Sequence, residues 1–259
     1  MIVHIYAHCW NEELMLPHFF RHYDPIADQY FIFDTGSSDR SREFLESRAR
    51  VKVTVVDDEV DSFVTANLAR HNNHWKQSRG KADWVIVTDI DEHVYHDDLR
   101  GYLARCQGQG VTIIKTEGYQ MVADEFPTET APLHQTVRRG MRWEVMDKEQ
   151  VFDPNRVEEI NWLPGRHVAN PIGEVLFPAQ AEVKLLHYKY LGLDYTIRRY
   201  KQLRTGLRPG DIAGEWGYQY LWDEAKITAQ FQDIRNNAIE VFGVGSLARD
   251  GLRPAREEY

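Results

Sequence analysis

Residues 2–7 are apolar and rich in β-branched side chains, which predicts a short buried strand. Residues 12–23 follow with Leu14, Leu16, Phe19, Phe20 and Tyr23 at helical spacing. A second apolar strand is predicted over 30–33, ending at Asp34. The run Thr35-Gly36-Ser37-Ser38-Asp39 is rich in helix-capping residues and opens a helix through Leu45. Residues 51–56 predict a third strand, and 63–79 a helix with Leu68 and Trp75 on one side. Residues 84–88 form a fourth, continuously apolar strand that stops at Asp89-Ile90-Asp91-Glu92.

Strand and helix therefore alternate through the first half, which predicts a parallel sheet with helices on both faces and right-handed crossovers. Ligands of such sheets bind beyond the carboxyl ends of the strands. Polar residues collect at those ends here: Asn11 and Glu12, then 34–39, then 89–92. The second half reads differently. Strands are predicted over 112–121, 135–145 and 183–190, a loop with four prolines over 153–178, and helices over 195–203 and 218–242. Between those helices, 205–217 is polar with four glycines and is expected to be a mobile loop. No repeat or low-complexity tract is visible.

The chain has 259 residues, with 31 Lys plus Arg against 40 Asp plus Glu and a formal charge of −9. One large domain or two merged halves fit that length. A 42% hydrophobic content supplies a core and argues against disorder. The acidic balance argues against a nucleic-acid binder. Two cysteines, Cys9 and Cys106, make no disulfide framework, so a reducing, cytoplasmic setting is expected. The start lacks the basic residues and long apolar stretch of a signal peptide, and no run is long enough for a membrane helix.

Asp89-Ile90-Asp91 carries the sharpest chemistry. Positions i and i+2 of a strand share a face, so the two carboxylates point together while Ile90 anchors the turn in the core. Adjacent carboxylates repel unless a cation lies between them or one is protonated. Hard oxygen ligands suit Mg²⁺ or Mn²⁺, which also bind phosphate oxygens. A bare D-x-D is common in solvated turns, and position at the end of a fourth alternating strand is what singles this one out. Asp34 at a strand exit can accept from a base N–H or a ribose hydroxyl, and Gly36 permits the tight turn that follows. His187, in Leu185-Leu186-His187-Tyr188-Lys189-Tyr190, can complete a metal shell, and Lys189 can neutralise a phosphate; a hydrogen-bonded core histidine is the commoner role. His167, in Pro164-Gly165-Arg166-His167, is equally ambiguous. The spaced pairs His18/His22 and His71/His74 have no third ligand at metalloprotease spacing and read as surface or packing residues. Cys9 has no evident base partner. Trp162, Trp216 and Tyr218 lie in loop-like stretches where an aromatic face can stack on a sugar.

Taken in order, HCWNEELMLPHFFRHY (8–23), FIFDTGSSDRS (31–41), HNNHWKQSRGKADWVIVTDIDEHVY (71–95) and LLHYKYL (185–191) resemble the bacterial GT-A-fold glycosyltransferases of the family-two-like group. The resemblance spans the chain to about residue 205. It implies an α/β fold with a GT-A-like (Rossmann-like), mostly parallel central sheet flanked by helices. It divides the chain into a nucleotide-sugar-binding half (1–115), an acceptor-binding half of the same domain (116–190) and a C-terminal helical extension (191–259). It implies a metal-dependent, inverting transfer from a nucleotide-diphosphate sugar to an acceptor hydroxyl in bacterial surface-glycan synthesis, with a glycan or lipid-linked acceptor. The location is then the cytoplasm or the inner membrane's surface. Asn11, Glu12 and Asp34 would surround the base and ribose, with Asp39 and Lys189 also on the nucleotide. Asp89 would touch ribose or metal, Asp91 would hold Mn²⁺ or Mg²⁺, His187 would join the metal shell, and Lys148 would meet the diphosphate.

The spaced tryptophan and Q-x-x-R-W run of processive family-two synthases are absent, so the catalytic base does not carry over. Carboxylates of the second half are the candidates: Glu117, Asp124, Glu125, Asp153 and Glu174, with the segment from Glu117 to Glu125 favoured because it follows a predicted strand. A sugar-phosphate nucleotidyltransferase is the rival enzyme, but it wants a glycine-rich basic loop after the first strand, where this chain has Cys9-Trp10-Asn11-Glu12. A non-catalytic glycan-binding protein is the third reading.

Overall fold

Strands rich in apolar and aromatic residues build the centre of the first sheet. In the computed structural model, which describes residues 1–56, 59–128 and 130–242, β1 (Val3–Cys9) leads through α1 (Leu16–Tyr23) to β2 (Gln29–Asp34). Next come α2 (Ser41–Glu46), β3 (Val51–Val55), α3 (Phe63–Asn73) and β4 (Trp84–Asp89). The helix expected over 63–79 ends at Asn73, and His74–Ser78 tighten into a 3₁₀ turn that drives Trp75 into the core.

The second half comprises β5 (Glu92–Tyr95), α4 (Leu99–Gly108), β6 (Ile113–Ile114), β7 (Glu117–Ala123), α5 (Leu133–Thr136), β8 (Arg139–Arg142) and β9 (Val151–Phe152). Then follow β10 (Val157–Glu159), β11 (Ile172–Gly173), β12 (Lys184–Leu191), α6 (Leu193–Gly206), α7 (Pro209–Ala213), α8 (Glu224–Asn237) and β13 (Ile239–Glu240). The first sheet runs β3-β2-β1-β4-β9-β6. Its first four strands are mutually parallel, and β9 is antiparallel to both β4 and β6. The second sheet runs β13-β8-β7-β12-β5, with β7 and β12 parallel. The expected α/β class, with a mostly parallel central sheet flanked by helices, is what the chain adopts.

Alternation along the strands explains the two main cores. Ile5, Ile32 and Ile86 face Phe19, Phe20 and Tyr23 of α1. The intervening Tyr6, Phe31, Phe33, Val85 and Val87 face Trp75, Phe152 and Trp162 on the other side. Both faces are covered, so these strands carry no polar stripe.

Several second-half expectations change. The expected strands over 112–121 and 135–145 break into β6, β7, α5 and β8; between β6 and β7 the Thr116 N–H turns to Lys148 O. The 153–178 stretch holds the small β10–β11 pair. The 205–217 segment contains α7, and its Asp211 is buried and accepts hydrogen bonds from Ser62 Oγ, Phe63 N and Val64 N at the start of α3. The expected 218–242 helix becomes a 3₁₀ turn, α8 and β13, whose strand pairs with β8. Residues 243–259 of the expected C-terminal extension lie outside the described residues. Among the described residues no helix is long and apolar enough to cross a membrane.

Candidate functional site

The chain leaves the first sheet at Asp89 and enters the second at Glu92, so Ile90 and Asp91 form the joint between them. Ile90 is buried, as its alternation predicts. The two flanking aspartates stay partly exposed at the carboxyl ends of β1, β2 and β4.

The loops after β1 and β2 are sewn together. Asn11 adopts a left-handed backbone (φ 55°), tolerable for Asn, and its Oδ1 accepts from Ser38 N at 2.7 Å and Asp39 N at 3.2 Å. Asp34 is buried and accepts from Ser37 N at 3.1 Å. Asp39 accepts from Glu13 N and Ser41 N. The amide and carboxylate oxygens of Asn11 and Asp39 thus fix loop geometry, where sequence reasoning placed them on a nucleotide. Glu12 is also engaged: its carboxylate is ion-paired with Arg199 of α6, which donates further to Trp10 O at 3.2 Å and Asn11 O at 3.1 Å. Burial pushes the Glu12 carboxyl above its usual range, against the pull of Arg199.

Around the joint, charges interlock. The buried guanidinium of Arg166 donates to Val87 O at 2.7 Å, Asp89 Oδ2 at 2.6 Å and Glu92 Oε2 at 3.2 Å. Lys148 is buried too, and its ammonium sits on Glu92. The expectation that Lys148 meets a diphosphate is therefore set beside a different partner, a buried carboxylate. Asp91 Oδ2 lies 3.3 Å from His187 Nε2. Burial would raise both aspartates, but their neighbours win: Asp89 is lowered by Arg166 and Lys148, and Asp91 is held well below the usual carboxylate range by the contact with His187, then by Arg199 and Lys189. Both are thus ionised at neutral pH. His187 Nδ1 is buried without a partner. His167 donates from Nδ1 to Val145 O at 2.9 Å, which leaves its Nε2 with the lone pair; burial and then Lys148 push it down to about 3.

Past the carboxyl ends of β1 and β2 lies a cleft of about 180 Å³ lined by Trp10, Thr35, Gly36, Phe63, Arg70 and Arg208, among others. The Arg208 guanidinium lies 4.6 Å from the Phe63 ring centroid. The segment carrying α7 therefore walls the cleft, where a mobile loop was expected. Lys189 turns toward Tyr200 and Tyr220, with Nζ at 4.8 and 5.0 Å from their centroids.

The base candidates are dispersed. The parallel register pairs Glu117 with Lys184 and Gln120 with His187, so Glu117 sits three residues, about 10 Å, along the strand from the level of His187. Asp124 is exposed and ion-paired with Arg235 of α8. Glu125 borders the start of α6, its Cα about 3.0 Å from where a Cβ on Gly192 would fall. Asp153 binds Asn155 and Glu174 binds Arg156. Trp162, expected to stack on a sugar, is buried against Phe152 and His71, whereas Tyr218 is exposed. His18 and His22 are packing residues, both buried.

Sequence reasoning missed Arg166, Arg199, Glu92 as an ion-pair hub, and Arg70. Only the Pro164-Gly165-Arg166-His167 turn gave any local signal.

No family model matches the chain, and no curated protein matches it. Solved structures do. *S. aureus* TarS 1–349 in complex with UDP-GlcNAc is similar over 90% of this chain and 72% of that one, at 11% identity and a TM-score of 0.39. Glucosyl-3-phosphoglycerate synthase from *Mycobacterium tuberculosis*, in complex with phosphoglyceric acid, is similar over 59% and 57%, at 14% identity and a TM-score of 0.35. A mycobacterial protein is similar over 46% of this chain and 41% of its own, at 16% identity and a TM-score of 0.34. The chain spans less than half the length of that protein and 43% of a longer TarS chain.

Proposed function

We propose that the protein is a glycosyltransferase that moves a sugar from a nucleotide-diphosphate donor to an acceptor hydroxyl with the help of Mn²⁺ or Mg²⁺. One observation carries the reading. Asp91 and His187, far apart in the chain, meet at 3.3 Å just past the end of β4, and a cleft lined by Trp10, Thr35 and Gly36 opens at the carboxyl ends of the neighbouring parallel strands β1 and β2.

The donor set fits a hard divalent cation in kind: two ionised carboxylates and one imidazole. Among the described residues no group of three or more His, Cys, Asp or Glu is arranged as a metal cage. Asp91 and His187 by themselves supply two donors, so water and substrate phosphates would have to complete the shell of Mg²⁺ or Mn²⁺. Asp91 and His187 would hold the cation, with the free Oδ1 of Asp89 next to them. When bound, the cation would neutralise charge growing on the departing diphosphate.

The chain's own residues supply the rest. Trp10 and Phe63 offer apolar surface for a base, and Arg70 and Arg208 bring positive charge to the cleft. Arg199 holds the loop after β1 against α6, which keeps the cleft wall in place. Phe63 and Arg70 stand on α3 and Arg199 on α6, so these groups are held on regular elements and need little reorganisation as charge develops.

Calorimetric titration with UDP, GDP and dTDP, each with Mn²⁺, tests the reading. One of them is expected to bind, and Asp91→Asn is expected to weaken that binding at least about tenfold, one decade being ~1.4 kcal/mol. Binding of none, with either metal, sinks the proposal.

A further inference from the structure

Two consecutive left-handed residues, Gly165 at φ 78° and Arg166 at φ 58°, form the turn that delivers Arg166 to the joint. The conformation costs Gly165 little, but a long-chain residue such as Arg pays about 1 kcal/mol or more for it. The surroundings hold it there. Arg166 N donates to Leu163 O and Leu163 N to Val168 O, closing the loop at its neck. Arg166 is then 2% exposed, with one guanidinium nitrogen on the Val87 carbonyl of β4 and the other shared by Asp89 and Glu92.

The charges at the joint make this arrangement asymmetric. Asp89, Asp91 and Glu92 bring three carboxylates, and Arg166 and Lys148 bring two buried cations. These two cations lie on the Asp89–Glu92 side. Asp89 has its Oδ2 engaged by Arg166 and its Oδ1 left over, while Asp91 contacts the imidazole of His187 and feels the more distant charges of Arg199 and Lys189. The two aspartates are therefore unequal although the sequence writes them as a pair.

We propose that Arg166 is a positioning residue that divides the labour of the two aspartates. By pinning Asp89 through Oδ2 it turns Oδ1 toward a donor hydroxyl, and it leaves the cation to Asp91 and His187. This rests on the glycosyltransferase reading above. A cation shared equally by both aspartates would have to compete with a guanidinium already 2.6 Å from one of them. A lysine at 166 keeps the charge but not the fork that reaches Val87 O and both carboxylates.

The experiment is calorimetry on wild type, Arg166→Gln and Arg166→Lys, first with Mn²⁺ alone and then with the nucleoside diphosphate that wild type binds best, at saturating Mn²⁺. Arg166→Gln is expected to bind Mn²⁺ at least about threefold more tightly, because a nearby positive charge is gone and Asp89 is released to the cation. The same variant is expected to bind the nucleotide about tenfold more weakly, because Asp89 is no longer oriented. Arg166→Lys is expected to keep wild-type Mn²⁺ affinity and lose about threefold on the nucleotide.

A merely structural arginine would move both affinities the same way. Affinities that weaken together, or that match wild type, overturn the proposal. If Arg166→Gln does not fold, by far-ultraviolet circular dichroism, Arg166→Lys decides alone: weaker nucleotide with unchanged Mn²⁺ supports the assignment, and any other pattern overturns it. A wild-type protein that binds no nucleotide fails the parent reading, and this one with it; normal wild-type binding with unaffected variants fails this one only.

Discussion

Arg199→Gln removes the cation from a buried ion pair and leaves Glu12 behind. In the wild type the two side chains are only about a tenth exposed (12% and 10%), and Arg199 also holds the Trp10 and Asn11 carbonyls. Breaking such a pair from one side costs about 3–5 kcal/mol, because the remaining charge is stranded. Glu12 can escape by taking a proton, and burial has already raised its pKa to about 8 in the wild type. At pH 7.5 that escape is easy, so the deficit should lie at or below the low end of this range. A carboxyl whose folded pKa is raised contributes stability below its unfolded value and loses it as pH rises toward the folded one. Wild type and variant share that dependence, so the variant's deficit should be nearly equal at pH 7.5 and 5.5. Glu12→Gln/Arg199→Gln, which strands no charge, should recover much of the loss. Urea unfolding of wild type, single and double variants at both pH values measures this, and any general acid effect cancels in the difference. A deficit under ~1 kcal/mol at pH 7.5, or one that differs by more than ~1 kcal/mol between the two pH values, refutes the argument.

Acid should weaken the wild type from near pH 6.5 downward. Burial lowers His8 to about 3, His22 to about 4 and His167 to about 3, so the unfolded chain takes up protons that the folded chain refuses. Each can withdraw about 1.4 kcal/mol per pH unit between 6.5 and 4; equal urea midpoints at pH 7 and 5 would contradict this. Asp211→Ala should lower stability by about 2–4 kcal/mol, since a buried carboxylate accepting from Ser62, Phe63, Val64 and Arg208 is lost. A melting temperature within one degree of wild type would show that α7 is not anchored this way.

β1, β2 and β4 were legible because each is a short, mostly apolar run stopped by a polar cluster, and a sheet covered on both faces needs such runs; the edge strand β3 shows instead the alternation Val51-Lys52-Val53-Thr54-Val55. The Asp89-Ile90-Asp91 alternation was legible for the same reason: a period of two fixes which side chains point together, and Ile90 is buried accordingly. Residue chemistry also marked Asp34 and His187, since a strand exit and an imidazole after an apolar run are local signals.

The partners were not legible. Arg199 meets Glu12 across 187 positions and Arg166 meets Asp89 across 77, and no local period encodes a contact of that separation. In the second half, short strands gain their stability from neighbours brought up by the fold, so 112–121 and 135–145 looked longer and simpler than β6, β7 and β8 are. The sequence by itself thus determined which groups carry charge and which strands present them. Only the tertiary structure decided which of those charges are already neutralised, because desolvation makes a buried carboxylate take its partner from whatever part of the chain the packing brings within reach.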